Sequence, residues 1–208
     1  MLTTIIAETC PAPQCNLSER EIEGLVDELK TYHTLFQPAF RRSEQFQWSG
    51  VYLNGRKGDE PRKTIEPIAL SQGENVRDLQ HLVQGQSPWL TTPIVQIHQR
   101  LVGETLGEAD AVIVVDESGI PKQGDDSVGV ARQYCGAVGK VANCQVGVYV
   151  GYASRKGYTL VDGRLYMPQE WFDAAHAPKR LCGGVPQELM FKTKPTLALE
   201  MVLNEDIH

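Results

Sequence analysis

Apolar runs are short throughout this chain. None approaches the ~20 residues that a membrane-spanning helix requires. The opening stretch, MLTTIIAETCPAPQC, has no basic cluster ahead of its apolar residues and is too short in apolar length for a secretory signal. A cytoplasmic chain with no membrane partner is expected. Cysteine is sparse and odd in number: Cys10, Cys15, Cys135, Cys144 and Cys182. No two form a CxxC pair and no histidine stands at finger spacing, which argues against a zinc site and a disulfide framework. The thiols are expected to be reduced and mostly buried. An excess of positive charge is missing too. The net charge of −6 excludes a chain that coats nucleic acid by bulk charge, though not a local basic patch.

Common catalytic signatures are absent as well. CGAVGKVAN contains Gly-Lys, but Tyr134 stands where a phosphate loop needs its first Gly, and Val141 replaces the Ser or Thr that would touch magnesium. There is no GxSxG elbow and no HExxH helix. Internal repeats and low-complexity tracts are also lacking.

What is present begins with helices, and 208 residues allow one good core or a small domain plus a medium one. Pro11 and Pro13 break any helix in residues 1–16, which read as a flexible tail. In LSEREIEGLVDELKTYHTLF, Ser18 and Glu21 form a capping-box signature, and Ile22, Leu25, Val26 and Leu29 fall on one helical face. Asn75 is placed to cap a helix striped by Val76, Leu79, Leu82 and Val83. Thr92 and Pro93 open a further helix with Ile94, Ile97, Leu101 and Val102 toward a core, and His98 on it reads as a surface or packed residue. Between the first two helices, residues 37–63 gather Arg41, Arg42, Arg56, Lys57, Arg62 and Lys63 against only Glu44, Asp59 and Glu60. Two readings stay open: a phosphate-contacting surface, or a solvated loop.

The pattern changes near Glu108. AVIVV reads as a short buried strand. A Gly- and Asp-rich loop follows, and then QVGVYVGYAS alternates with period two. Val146, Val148, Val150 and Tyr152 fall on one face; Gln145, Gly147, Tyr149 and Gly151 fall on the other. SRKG is a turn and GYTLVDGRLY a third strand, so an antiparallel meander is expected. MPQEWFDAAH and KPTLALEMVL read as helices.

AVIVV runs straight into Asp116 and Glu117. A buried carboxylate is costly unless it is paired, hydrogen-bonded or metal-bound. If the strand continues, the two acids point to opposite sides and Asp116 shares a face with Val112 and Val114. A carboxylate at a strand end suits Mg²⁺, which takes one or two carboxylates with water and phosphate. The alternative is a turn-starting Asp bonded to its own loop.

The longer string DESGIPKQGDDSVGVARQYCGAVGKVANCQVGVYVGYAS resembles the first part of the catalytic domain in bacterial insertion-sequence transposases of the DDE superfamily. The likeness continues through GRLYMPQEW to FKTKPTLALEM. It includes RKTIEPIA and LQHLVQGQSPW in the helical half, and so runs from about residue 20 onward. The resemblance implies an RNase H-like core. Such a core binds two divalent ions (Mg²⁺ or Mn²⁺) through an Asp on the first strand, a second Asp on a later strand and a Glu on a late helix. It hydrolyses DNA at the element ends and joins the freed 3′ hydroxyl to a target. Asp116 matches the first Asp, with Glu117 a lesser candidate for the metal.

In the family the second Asp lies on a strand beyond the helix that matches KPTLALEMV, and this sequence closes in LNEDIH before it. Asp162, Asp173 and Glu200 match no catalytic position. The expectation is therefore an α/β chain in three parts: the tail 1–16, a helical DNA-binding domain 17–107, and a truncated RNase H-like DDE domain 108–208. It is expected to be inactive alone, and to bind terminal inverted repeats through the basic segment and another transposase chain through the unpaired first strand. The alternative is a non-enzymatic DNA-binding remnant or inhibitor of an intact transposase.

Overall fold

The computed structural model describes residues 17–83 and 89–203. The expected tail, with Cys10 and Cys15, and the closing residues 204–208 lie outside the described residues. Contacts divide the chain into two compact units, Met1–Leu90 and Thr91–His208.

The first unit is helical. Helix α1, Glu19–Thr34, starts at the expected capping box: the Glu21 carboxylate accepts from the Ser18 N–H at 2.8 Å, and Ser18 Oγ accepts from the Glu21 N–H at 3.4 Å. Its apolar stripe is left uncovered by the described residues, and Ile22, Leu25 and Val26 are 46–51% exposed. Its C-terminal end is what attaches it. His33 stacks on Phe46 at 4.1 Å and shares a 2.8 Å hydrogen bond with Ser49. Burial there holds the His33 imidazole below its ordinary pKa.

Charge alone allowed residues 37–63 to be a loop, but Ser43–Lys57 form helix α2. The reason lies in Trp48, Val51 and Tyr52, which pack on a core made by α3 (Ile65–Ser71) and α4 (Val76–Val83). Ile68, Ala69 and Leu79 at that core are fully buried. Gly55 lets the helices approach: a β-carbon there would overlap Ile68 Cγ2 and lie 3.1 Å from Ile68 Cβ. Asn75 caps α4 as expected, its Oδ1 accepting from the Arg77 N–H at 2.9 Å. Val83, expected on the apolar stripe, is exposed.

The second unit opens with α5, Thr91–Leu106. Val102 and Leu106 enter the core of this unit, and Gln99 Nε2 donates to the Val161 carbonyl at 3.3 Å. His98 is a packed residue, its Nε2 bonded to the Leu160 carbonyl at 2.7 Å.

The sheet has four strands where three were expected: β1 (Val112–Pro121), β2 (Ala131–Cys135), β3 (Lys140–Ser154) and β4 (Gly157–Tyr166). All pairings are antiparallel and all involve β3. β1 runs along one edge of β3, and β4 lies along the other after the tight Arg155–Lys156 turn. The additional strand β2 pairs with the start of β3 through a turn whose last residue, Gly139, has φ 65°, a conformation that suits glycine. The expected inner face is borne out. Val146, Val148, Val150 and Tyr152 are all buried, and Leu197 and Met201 of helix α7 (Lys194–Leu203) pack on it. The register of β4 shifts at Val150/Gly151, which leaves Val161 as the inserted residue, buried in the same core.

Two expectations are corrected here. β1 is not buried. Val112, Ile113, Val114 and Val115 are 40–56% exposed, because the other edge of β1 meets no strand among the described residues. MPQEWFDAAH is not a regular helix. It forms two 3₁₀ turns, Gln169–Phe172 and Ala174–His176, broken by extended backbone at Asp173, before the short α6, Ala177–Cys182. Trp171 is the anchor of that stretch, fully buried and donating its indole N–H to the Val130 carbonyl at 2.8 Å. Cys135 and Cys144 are free and buried, whereas Cys182 is exposed.

Candidate functional site

Strand β1 continues through Asp116 and Glu117, so the two carboxylates lie on opposite faces, as alternation requires. Opposed residues of an antiparallel pair share a face. Glu117 is opposite Val148 and therefore lies on the inner, α7-covered face; Asp116 is opposite Tyr149 and lies on the outer face. Both are exposed. Asp116 Oδ1 accepts from the Glu117 backbone N–H at 2.8 Å. Glu117 is held by Lys194 at the start of α7, Nζ to Oε2 2.7 Å, and the same ammonium lies 5.2 Å from the centre of the Tyr166 ring. A groove of about 690 Å³ runs beside these acids, walled by Val115, Val148, Ala198, Leu199 and Val202.

The other acids of this unit are turned to other partners. Glu200 accepts from Lys192 at 2.8 Å and pairs with Arg164 at 3.2 Å. Lys192 first, and Arg164 after it, hold its carboxyl below the ordinary range. Asp162 accepts from the Gly163 N–H at 2.6 Å and lies 3.8 Å from Arg164. Asp125 is fixed by Lys179 at 2.7 Å, which lowers the acid and raises the amine. Among the described residues, no three His, Cys, Asp or Glu side chains converge into a metal-holding group. Asp116 therefore supplies a single carboxylate, which does not fit a site for two divalent ions.

The basic residues of the first unit divide between the two ends of α2. Arg41 and Arg42 are exposed at its N-terminus, where Gln45 Oε1 accepts from both of their backbone N–H groups at 3.1 and 3.2 Å. Arg56 and Lys57 occupy the last turn, where cations also suit the helix dipole. Arg62 and Lys63 follow in the loop. Arg56 donates to the Lys63 carbonyl at 3.2 Å and the Lys63 ammonium to the Gly58 carbonyl, so both are partly engaged locally. The helix spans about 22 Å at 1.5 Å per residue, and that distance separates the two groups. A second cavity, of about 610 Å³, lies by the N-terminal group and is lined by Arg42, Trp48, Asp78 and His81.

Sequence reasoning gave Lys194 no role, and no local pattern joins it to Glu117, which lies far away in the chain. Helix α2 did leave a signal. Trp48, Val51, Tyr52 and Gly55 follow the i, i+3, i+4, i+7 spacing of a packed helical face.

Comparison with known proteins gives the family. The DDE superfamily endonuclease family matches residues 35–205. A relative named "Probable transposase for insertion sequence element IS701", from Microchaete diplosiphon, is 28% identical over 179 residues, covering 85% of this chain. The chain spans 42% of that relative's length. No solved structure matches. With most of the chain inside the family's match and the likeness extending over both units, this chain belongs to the DDE superfamily endonucleases.

Proposed function

We propose that this chain is a DNA-contacting transposase-family protein that does not cut DNA by itself. Its second unit is read as the first part of an RNase H-like core: antiparallel strands β1, β3 and β4 with α7 across their inner face. The family generally uses divalent metal ions, and Mg²⁺ or Mn²⁺ is the proposed ion where the full set of carboxylates is present. Here one observation carries the reading. Asp116 lies on the outer face and joins no metal-holding group among the described residues, while Glu117, Asp162 and Glu200 are turned to Lys194, Arg164 and Lys192. No catalytic step is assigned to this chain. Its own residues bind: Arg41 and Arg42 at one end of α2, with Arg56, Lys57, Arg62 and Lys63 at the other, are the proposed phosphate contacts to terminal inverted repeats. In this reading the DNA-binding part extends from residue 17 to the last helix before the sheet.

A second reading is an inhibitor that pairs with an intact transposase chain. The half-exposed valines of β1 and its second edge, which meets no strand among the described residues, favour it, because such an edge is a template for another strand.

The test is fluorescence anisotropy on duplex DNA across a salt series, followed by a nicking assay with Mg²⁺. Affinity is expected to fall linearly with log salt at a slope of about −0.9 per phosphate contacted. Arg41→Ala and Arg42→Ala are each expected to reduce that slope by about one, with no nicking at any salt. Mg²⁺-dependent cleavage that disappears in Asp116→Ala would overturn the proposal.

A further inference from the structure

We infer that Tyr149 is a stacking platform for an unpaired DNA base beside Asp116; this rests on the DNA-contacting function proposed above. The ring lies flat on the outer sheet face because two glycines lie under it. A β-carbon on Gly147 would come within 2.6 Å of Tyr149 Cζ, and one on Gly163 within 2.7 Å of Cδ1. Gly147 is two residues back on β3, and Gly163 is directly opposite Tyr149 on β4. Side chains at either position would tip the ring away from the sheet. As built, one ring face covers glycine backbone and the other is turned outward.

Tyr149 itself is half-buried, as a ring with one face covered would be. The flanking side chains on the same sheet face, Val114 and Leu165, are 50% and 43% exposed. On the other side of Tyr149, directly opposite in the β1–β3 register, is Asp116. A strand that reaches Asp116 from the outer side must therefore cross or abut this ring. Every base has a π-face, so stacking on an aromatic ring tolerates sequence and suits an unpaired end. Arg132 is exposed on the same face through its pairing with Asn143, six residues along β3, or about 20 Å at ~3.3 Å per residue. It supplies a cation for the backbone of the same strand. The occupant fitted by a flat ring, with a cation further along the face, is a single-stranded nucleic acid segment. A protein helix, which needs holes for its side chains, fits the patch less well.

The experiment uses the full chain and a DNA duplex with a 3′ single-stranded overhang carrying 2-aminopurine at successive positions. Quenching of 2-aminopurine is expected at one or two overhang positions on binding wild-type protein. Tyr149→Phe is expected to keep both quenching and affinity. Tyr149→Leu, which still covers the glycines but has no ring, is expected to lose quenching and about tenfold in affinity with an unchanged salt slope. Asp116→Asn, which removes a negative charge beside the strand, is expected to tighten binding. Wild-type binding without quenching at any position would overturn the inference alone, as would equal affinity and quenching for the Leu and Phe variants. This outcome leaves the DNA-contacting function standing. Absence of any DNA binding by wild-type protein would overturn that function and this inference together. If Tyr149→Leu fails to fold, the wild-type quenching pattern decides.

Discussion

Gly55→Ala is the sharpest single probe of the helical unit, because two known effects oppose each other there. Alanine in a helix interior is favoured over glycine by about 1 kcal/mol. Gly55 lies in the last turn of α2, so propensity alone forecasts stabilisation of up to that amount. Packing forecasts the reverse. The added methyl would overlap Ile68 Cγ2 and lie 3.1 and 3.2 Å from Ile68 Cβ and Cγ1. Ile68 is fully buried and β-branched, so it has no easy rotamer to yield with. Overpacking of a tight core costs about 1–3 kcal/mol, and contact with a stiff side chain belongs in the upper half of that range. The net expectation is a loss of about 1–2 kcal/mol after the propensity gain is subtracted. Gly24→Ala supplies the control: it is also helical, but its β-carbon would meet nothing within 4 Å. It is expected to stabilise by up to about 1 kcal/mol. Urea unfolding followed by α-helical circular dichroism measures both, read as midpoint shifts at constant slope. Equal or greater stability of Gly55→Ala relative to wild type would refute the packing argument and with it the seating of α2 on α3.

Other expectations follow from the second unit. Trp171→Phe removes the donor to the Val130 carbonyl and is expected to cost about 1–3 kcal/mol, read as a lower urea midpoint. Glu200 has a depressed carboxyl, so its contribution is present above the ordinary carboxylate pKa and is lost as pH falls through the lower, folded-state value. Glu200→Gln is expected to lower stability at neutral pH and to flatten the acid limb of a stability–pH profile. An unaltered acid limb would remove Lys192 and Arg164 as its partners.

Much of this architecture was legible in the sequence because local signals and tertiary packing agree. Ser18 and Glu21 cap α1, the valines of QVGVYVGYAS line the core, and KPTLALEMVL is helical from Lys194 to Leu203. Three features were not legible. α2 was masked by its charges and its two glycines, which outweighed the helical spacing of Trp48, Val51, Tyr52 and Gly55. The 3₁₀ turns around Trp171 were hidden because a single long-range hydrogen bond to Val130 overrides helix continuation. β1 looked buried because an apolar run reports strand preference, whereas burial depends on what lies alongside. At the site, alternation correctly sent Asp116 and Glu117 to opposite faces. It could not show that Lys194 would take Glu117, or that Tyr149 would lie flat opposite Asp116, because pairings between distant segments leave no local trace.

The central claim is that Asp116 joins no metal-holding group of carboxylates among the described residues. Titration calorimetry with Mn²⁺ on the full chain, with Asp116→Ala as control, tests it most directly. The account predicts no binding heat that distinguishes the two proteins. A site of micromolar to low-millimolar affinity in wild type that vanishes in Asp116→Ala would contradict it, and would mean that other carboxylates do converge on Asp116.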